Sequence, residues 1–164
     1  AIKDGDPDDE ADSREWSPTI NISTPILIPE NYVQDLGLRL SLYRRMASLS
    51  DEMESENFAA ELIDRFGKLP DEVENLLKVL SIKRTCKQAN IEKIDAGPKG
   101  AVITFRNNQF DNPGGLVAFI AKETGAAKVR PDHKLVIRRA WDRQQDRITG
   151  VSRLVRDLAV IADG

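Results

Sequence analysis

The sequence predicts an α+β fold, in which a helical amino-terminal portion is followed by a ββαββα unit with a small antiparallel sheet. The first observation is the helical periodicity of the apolar residues, which continues to about residue 90. The second is a change to short apolar runs separated by Gly- and Pro-containing turns from residue 91 onward. The third is size, since 164 residues with 40% hydrophobic content suit one hydrophobic core.

Residues 1–17 are predicted to form an acidic disordered linker, and residues 18–164 to form the folded domain. Residues 1–15 contain seven Asp and Glu residues against Lys3 and Arg14, and they have almost no apolar side chain to bury. Because the chain starts in such a segment and without an initiator methionine, we expect it to be the terminal piece of a longer protein.

Residues 19–29, TINISTPILIP, are predicted to form an edge strand or an extended arm that lies across the surface. Isoleucines alternate with polar or proline positions along this segment. Pro25 and Pro29 lack the amide donor that a central strand needs, which favours an edge position.

A first amphipathic helix is predicted over about 36–49. Apolar residues recur there at spacings of four, three and four, which places them on one helical face. That face consists of Leu36, Leu40, Tyr43 and Ala47.

Two further helices are predicted over 51–66 and from 71 to about 90. Ser50 is the expected cap of the second helix, and Gly67 is its expected left-handed stop. Asp71 and Glu74 have the spacing of a capping box for the third. The apolar face of the second helix consists of Phe58, Ala59, Leu62, Ile63 and Phe66.

The second half of the chain predicts two hairpins, each followed by a helix. The first hairpin, 91–105, turns at the residues Gly-Pro-Lys-Gly, 97–100. Asn112 is the expected cap of a short helix that opens at Pro113 and stops at Gly125. The second hairpin turns at 131–133, and a helix from about 142 to 162 closes the chain.

No catalytic residue, cofactor site or metal site is predicted in this segment. A nucleotide-binding G-x-x-x-x-G-K-[ST] loop is missing from the sequence, and the single cysteine, Cys86, excludes multi-cysteine metal motifs. Cys86 lies on the apolar side of the third helix, where a buried structural thiol is expected. His133 is the single histidine, and its place in a predicted turn favours a solvated side chain.

Basic residues near the carboxy terminus suggest a secondary basic surface, and an accessory DNA-binding module that uses this end of the chain is the alternative function. Arginines that surround Trp141 could hold phosphate while the indole stacks on a base. Acidic residues interrupt the cluster, so the wet face of an amphipathic helix is the competing interpretation. The arginines of this predicted surface are Arg138, Arg139, Arg143 and Arg147.

A polar stripe on the second helix contains Glu61, Asp64 and Arg65. At 100° per residue it lies opposite the apolar face of that helix. From this position alone, the stripe could be a solvated helix face or a docking site for a partner protein.

Membrane insertion is not expected, because no apolar run approaches the roughly 20 residues of a membrane span. The composition instead favours a cytoplasmic protein, and we expect the isolated domain to be monomeric.

Three long blocks resemble the carboxy-terminal domain of bacterial transcription-repair coupling factors. They are RLSLYRRMAS at 39–48, ELIDRFGKLPDEVENLL at 61–77 and IEKIDAGPKGAVITF at 91–105. The resemblance runs in order from about residue 20 to residue 161, and the acidic start resembles the linker from the preceding motor domain.

The resemblance implies a regulatory rather than a catalytic role for this segment. Members of the family use motor domains, driven by ATP and Mg²⁺, to act on DNA, displace a stalled RNA polymerase and recruit the repair protein UvrA. The carboxy-terminal domain packs on a UvrB-like amino-terminal module and hides the surface that UvrA would recognise. The E-x-x-D-R positions of that contact match Glu61, Asp64 and Arg65.

Overall fold

The computed structural model describes residues 16–123 and 125–164 and confirms the α+β class. The disorder predicted for residues 1–15 lies outside the described residues. In the described part of the chain, five α-helices and five strands follow in the order β1 (Thr19–Asn21), α1 (Leu36–Ala47), α2 (Glu52–Phe66), α3 (Asp71–Gln88), β2 (Ile91–Gly97), β3 (Gly100–Phe105), α4 (Pro113–Lys122), β4 (Ala127–Val129), β5 (Leu135–Arg138) and α5 (Gln144–Asp163).

The sheet has the strand order β1-β2-β3-β5-β4. The β2–β3, β3–β5 and β4–β5 pairs are antiparallel, as the two predicted hairpins require. Strand β1 is an edge strand, as predicted, but it pairs with β2 in the parallel direction, with Thr19 opposite Lys93. The expectation of a purely antiparallel sheet is therefore corrected at this edge.

Two hydrophobic clusters form the interior, and α3 contributes to both. Val73 and Leu77, in the first half of α3, pack with α1 and α2 in a helical cluster. Val79, Ile82 and Cys86, in the second half, pack against the sheet and α5. One helix therefore joins the helical portion to the ββαββα unit, and each of the two has its own hydrophobic cluster.

The arm that precedes α1 does not lie on the surface as predicted. Ile20 and Ile22 are buried in the sheet cluster, and Ile28 is buried in the helical cluster. The amide of Ile28 also donates to the Tyr43 hydroxyl at 2.7 Å. Burial of these isoleucines outweighs the exposure that the polar and proline positions between them suggested.

The buried face of α1 also differs from the prediction. Leu36 and Leu40 are 59% and 47% exposed, whereas Leu42 and Met46 are buried. Ile28 and Val33 lie in the same cluster as Leu42 and Met46. The arm thus determines which side of α1 is covered, and a spacing pattern within α1 alone does not contain this information.

Two helix caps differ from the predicted ones. Asp51, rather than Ser50, caps α2 by accepting from the Glu54 amide at 2.8 Å. The Glu54 carboxylate in turn accepts from the Ser50 amide at 2.9 Å. Helix α3 begins after Pro70 without a side-chain cap, so the proposed Asp71 capping box does not form.

Candidate docking surface

The predicted polar stripe contains a bidentate ion pair between two helices. On α2, both carboxylate oxygens of Glu61 accept from the Arg45 guanidinium of α1, at 2.6 and 2.7 Å. The guanidinium of Arg65, one turn further along α2, donates to the same carboxylate at 3.1 Å. The structure therefore brings Glu61 and Arg65 together, and it adds Arg45, which sequence analysis did not include.

These contacts keep Glu61 ionised. Hydrogen bonds from Arg45 and then from Arg65 lower the pKa of Glu61 from its ordinary 4.5 to about 2, despite a smaller opposing effect of desolvation. The hydrogen bond to Glu61 likewise raises the pKa of Arg45. Charge-assisted bonds of this geometry are shorter and more directional than neutral ones.

Aromatic rings support both guanidinium groups. The Arg45 guanidinium carbon lies 4.8 Å from the centroid of the Phe58 ring, and that of Arg65 lies 5.0 Å from the centroid of Phe66. A cation held over a ring and bonded to a carboxylate has fewer accessible rotamers. The cluster of Arg45, Glu61 and Arg65, here called the arginine–glutamate cluster, is accordingly preorganised.

Asp64 lies beside this cluster and points its charge to solvent. Its side chain is exposed, and it makes no hydrogen bond or ion pair with the described part of the chain. Arg65 donates to the Glu61 carboxylate through one terminal nitrogen. The other N–H groups of its guanidinium can therefore donate to a partner protein. The surface can thus offer a carboxylate to a basic partner group and a guanidinium to an acceptor.

The predicted basic surface is smaller than the sequence suggested. Arg138 and Arg143 are exposed, and Arg139 pairs with Glu123 at 2.9 Å. Arg147 is only 5% exposed and donates to the carbonyl oxygens of Trp141 and Ser23, at 3.1 and 2.8 Å. Arg147 therefore stabilises the interior instead of belonging to a binding surface.

Trp141 is also unavailable for base stacking. It is 7% exposed and packs against Gly150, where any Cβ would overlap the indole ring. Sequence analysis could not separate this arrangement from an exposed aromatic residue, because the glycine that receives the ring lies nine positions away.

The other singled-out residues have the expected structural roles. Cys86 is fully buried, and burial raises the pKa of its thiol to about 12. His133 is exposed in the second hairpin turn, in a left-handed conformation. Within residues 16–123 and 125–164, no group of three potential metal ligands occurs and no helix is long and apolar enough to span a membrane.

Comparison with known proteins connects this fold to one family. The family model described as the TRCF domain matches residues 22–116, more than half of the chain. The transcription-repair-coupling factor of Rickettsia bellii is 47% identical over 119 residues, which is 73% of this chain and 10% of that protein. The corresponding factor of Escherichia coli is 31% identical over 139 residues, which is 85% of this chain and 12% of that protein.

A solved structure agrees with the assignment at the level of the fold. The crystal structure of the C-terminal domain of transcription-repair coupling factor superposes with a TM-score of 0.75 at 17% identity, covering 90% of this chain and 95% of that chain. This chain spans about a tenth of the length of the curated relatives named above. The family match and the shared fold confirm the predicted resemblance, and the chain belongs to the transcription-repair coupling factor family, of which it carries the TRCF domain.

Proposed function

We propose that this domain is the autoinhibitory interaction domain of an ATP-dependent DNA translocase in transcription-coupled nucleotide excision repair. It docks on the UvrB-like amino-terminal module of the same protein and masks the surface for UvrA until the motor engages. The observation that supports this role is the preorganised arginine–glutamate cluster with the exposed Asp64 beside it. Arg45 and Arg65 hold the Glu61 carboxylate in place, so the charges that border Asp64 have a fixed arrangement.

The chemistry of this surface suits a contact that forms and breaks. Exposed charge pairs give register and selectivity but little net affinity, so a conformational change of the parent protein can separate them. Within one chain, the linker supplies a high effective concentration, so a weak interface is enough for closure. Asp64 would receive a basic group of the UvrB-like module, and Arg65 would donate to one of its acceptors.

The catalytic parts of the proposed system lie outside this segment. ATP and Mg²⁺ would bind in the motor domains of the parent protein, and contacts with DNA, RNA polymerase and UvrA would arise through the parent. The cytoplasm is the compartment that this role requires. The TRCF domain itself would contribute binding energy and no chemical step.

Chemical-shift mapping tests the docking face. The ¹⁵N-labelled 164-residue chain is titrated with the separately produced UvrB-like module, since NMR detects even millimolar affinity. We expect the amide shifts to cluster at Glu61, Asp64 and Arg65. The Asp64→Arg variant should lose these shifts, whereas the matched charge reversal Asp157→Arg, at an exposed position of α5, should keep them.

Two results would overturn the proposal. One is a set of shifts centred on Arg138 and Arg143, which would move the contact to the basic end of the domain. The other is an Asp64→Arg variant that binds as well as the parent chain.

A further inference from the structure

The described helices cover only one face of the sheet. Successive side chains of a strand point to opposite faces. The inward set, which includes Ile94, Ile103 and Ile137, is buried in one cluster with residues of α3 and α5. The strand residues of the alternate set are all at least partly exposed. We call the surface that they form the outer face.

An apolar pair lies at the centre of the outer face. Val102 of β3 is directly opposite Val136 of β5, and both side chains are half-buried. Directly opposed residues have Cβ atoms about 4.5–5.5 Å apart, so the two valines form a continuous apolar spot. Asp95 of β2 continues this row at one end, and Lys128 of β4 continues it at the other.

Basic side chains surround the valine pair. Arg138 lies two residues after Val136 and therefore on the same face of the sheet. Arg138 and Lys99 line a hollow of about 870 Å³ over β3 and β5. Lys99, Lys128 and Arg138 are exposed, and none of them forms an ion pair within residues 16–123 and 125–164.

The acidic residues that line the hollow do not balance these bases. Asp95 already pairs with Lys93, at 3.7 Å. Asp142 is the second acidic residue of the hollow, and it stands against both Lys99 and Arg138. The outer face thus combines an apolar centre with an excess of positive charge around it.

We propose that the outer face is a docking surface for an amphipathic helix of a partner protein, whose aliphatic stripe is bordered by acidic residues. Helices are the usual cover of a sheet face. The aliphatic stripe would cover Val102 and Val136, and the carboxylates would pair with Lys99, Lys128 and Arg138. The proposal goes beyond the proposed function, because the arginine–glutamate cluster lies on α1 and α2.

The same charge could attract nucleic acid, but the apolar centre favours a protein partner. Proteins that bind single strands stack the bases on aromatic side chains. The outward-facing positions of the described strands carry valine, threonine and charged residues and no aromatic one. Phosphates alone would leave the valine pair uncovered.

Designed helical peptides test the two parts of this recognition separately. The ¹⁵N-labelled 164-residue chain is titrated with a hydrocarbon-stapled helix that has a leucine stripe and glutamate on both flanks. One matched peptide keeps the leucines and has lysine flanks, and the other keeps the glutamates and has glutamine in place of leucine. Like charges on the flanks oppose self-association of each peptide.

We expect the leucine–glutamate peptide to shift the amide signals of Val102, Val136 and Lys128. Each matched peptide should bind at least about tenfold more weakly, because it lacks either the charge or the apolar contact. Lys128→Gln/Arg138→Gln should weaken binding of the first peptide about three- to tenfold. The matched variant Lys78→Gln/Arg156→Gln, which removes two exposed bases on α3 and α5, should bind it normally.

Three results would overturn the proposal. The first is equal binding of the leucine–glutamate and glutamine–glutamate peptides, which would leave only non-specific charge attraction. The second is equal affinity of the two double variants, both shown to be folded by their NMR spectra. The third is tighter binding of a single-stranded oligo-dT than of any peptide, which would make the outer face a nucleic-acid site. None of these results bears on docking at Glu61, Asp64 and Arg65, which is tested with a different ligand.

Discussion

At the scale of single residues, Glu61 has the most altered chemistry on the candidate docking surface. Its carboxylate holds Arg45 and Arg65 in place, while Asp64 remains available to a partner. Sequence periodicity predicted the stripe that contains Glu61, because that inference is local to one helix. Arg45 was missed because it lies 16 positions away on another helix, and periodicity within one helix does not report contacts between helices.

The depressed pKa of Glu61 predicts a specific loss of stability in acid. The folded pKa, about 2, lies below the ordinary value of 4.5, so the unfolded chain takes up a proton first as the pH falls. The stabilising contribution is fully present above about pH 4.5 and is lost as the pH falls through about 2. An NMR titration of the Glu61 carboxyl carbon should show its midpoint near the lower value.

A control variant separates this effect from general acid denaturation. Glutamine does not titrate, so the Glu61→Gln variant lacks the proton uptake at this position. Its free energy of unfolding should therefore fall less between pH 4.5 and 2 than that of the unmodified chain. A Glu61 midpoint near 4.5, or identical acid profiles for the two proteins, would show that the Arg45 contact does not persist in solution.

At the scale of secondary structure, local signals predicted most elements, and non-local packing decided the rest. The first hairpin follows from a Gly-Pro-Lys-Gly turn between two apolar runs, and its strands occur as predicted. The buried side of α1 and the parallel pairing of β1 depend on distant residues such as Ile28 and Lys93. The burial of Arg147 likewise depends on the carbonyl of Ser23, 124 positions away.

The hairpin turn provides a test at this scale. Gly100 has a φ of +130° and its hydrogens face the Ile137 carbonyl of the neighbouring strand β5, where a Cβ would overlap. We expect Gly100→Val to destabilise the domain by at least about 2 kcal/mol, from backbone strain and steric overlap together. Gly97 is not in the left-handed region and has open space around it, so Gly97→Val should cost far less. Chemical denaturation of both variants measures the difference, and equal stabilities would refute this account of the turn.

At the scale of the whole molecule, α3 joins two hydrophobic clusters, one in the helical portion and one between the sheet and α5. The helical portion presents the arginine–glutamate cluster on its surface. Sequence analysis predicted the acidic segment from composition. It did not predict that Trp16, the first described residue, contacts Arg106, because the two residues are 90 positions apart in the chain.

Deletion of residues 1–15 tests how far the acidic segment contributes to folding. Because these residues offer almost no apolar surface, we expect the free energy of unfolding at physiological salt to change by no more than about 0.5 kcal/mol. Thermal denaturation of the full and truncated chains gives the comparison. A drop of several degrees in Tm would show that the segment packs into the fold.

The central claim, that this domain masks a UvrA-binding surface, is tested most directly by a UvrA titration of the full-length parent protein. Replacing Glu61, Asp64 and Arg65 by alanine removes the docking charges but leaves the buried Phe58 and Leu62 in place. Alanine also favours helix, so circular dichroism should show a folded protein. A matched triple variant, Glu56→Ala/Arg156→Ala/Asp157→Ala, removes two acids and one base elsewhere.

We expect the docking variant to bind UvrA without DNA or polymerase, and to bind it roughly five- to 150-fold more tightly than the unmodified parent, the usual range of coupling between sites. The matched variant should bind UvrA as weakly as the parent does. If the folded docking variant binds UvrA no better than the parent, then Glu61, Asp64 and Arg65 form a solvated face, and the proposed masking role is contradicted.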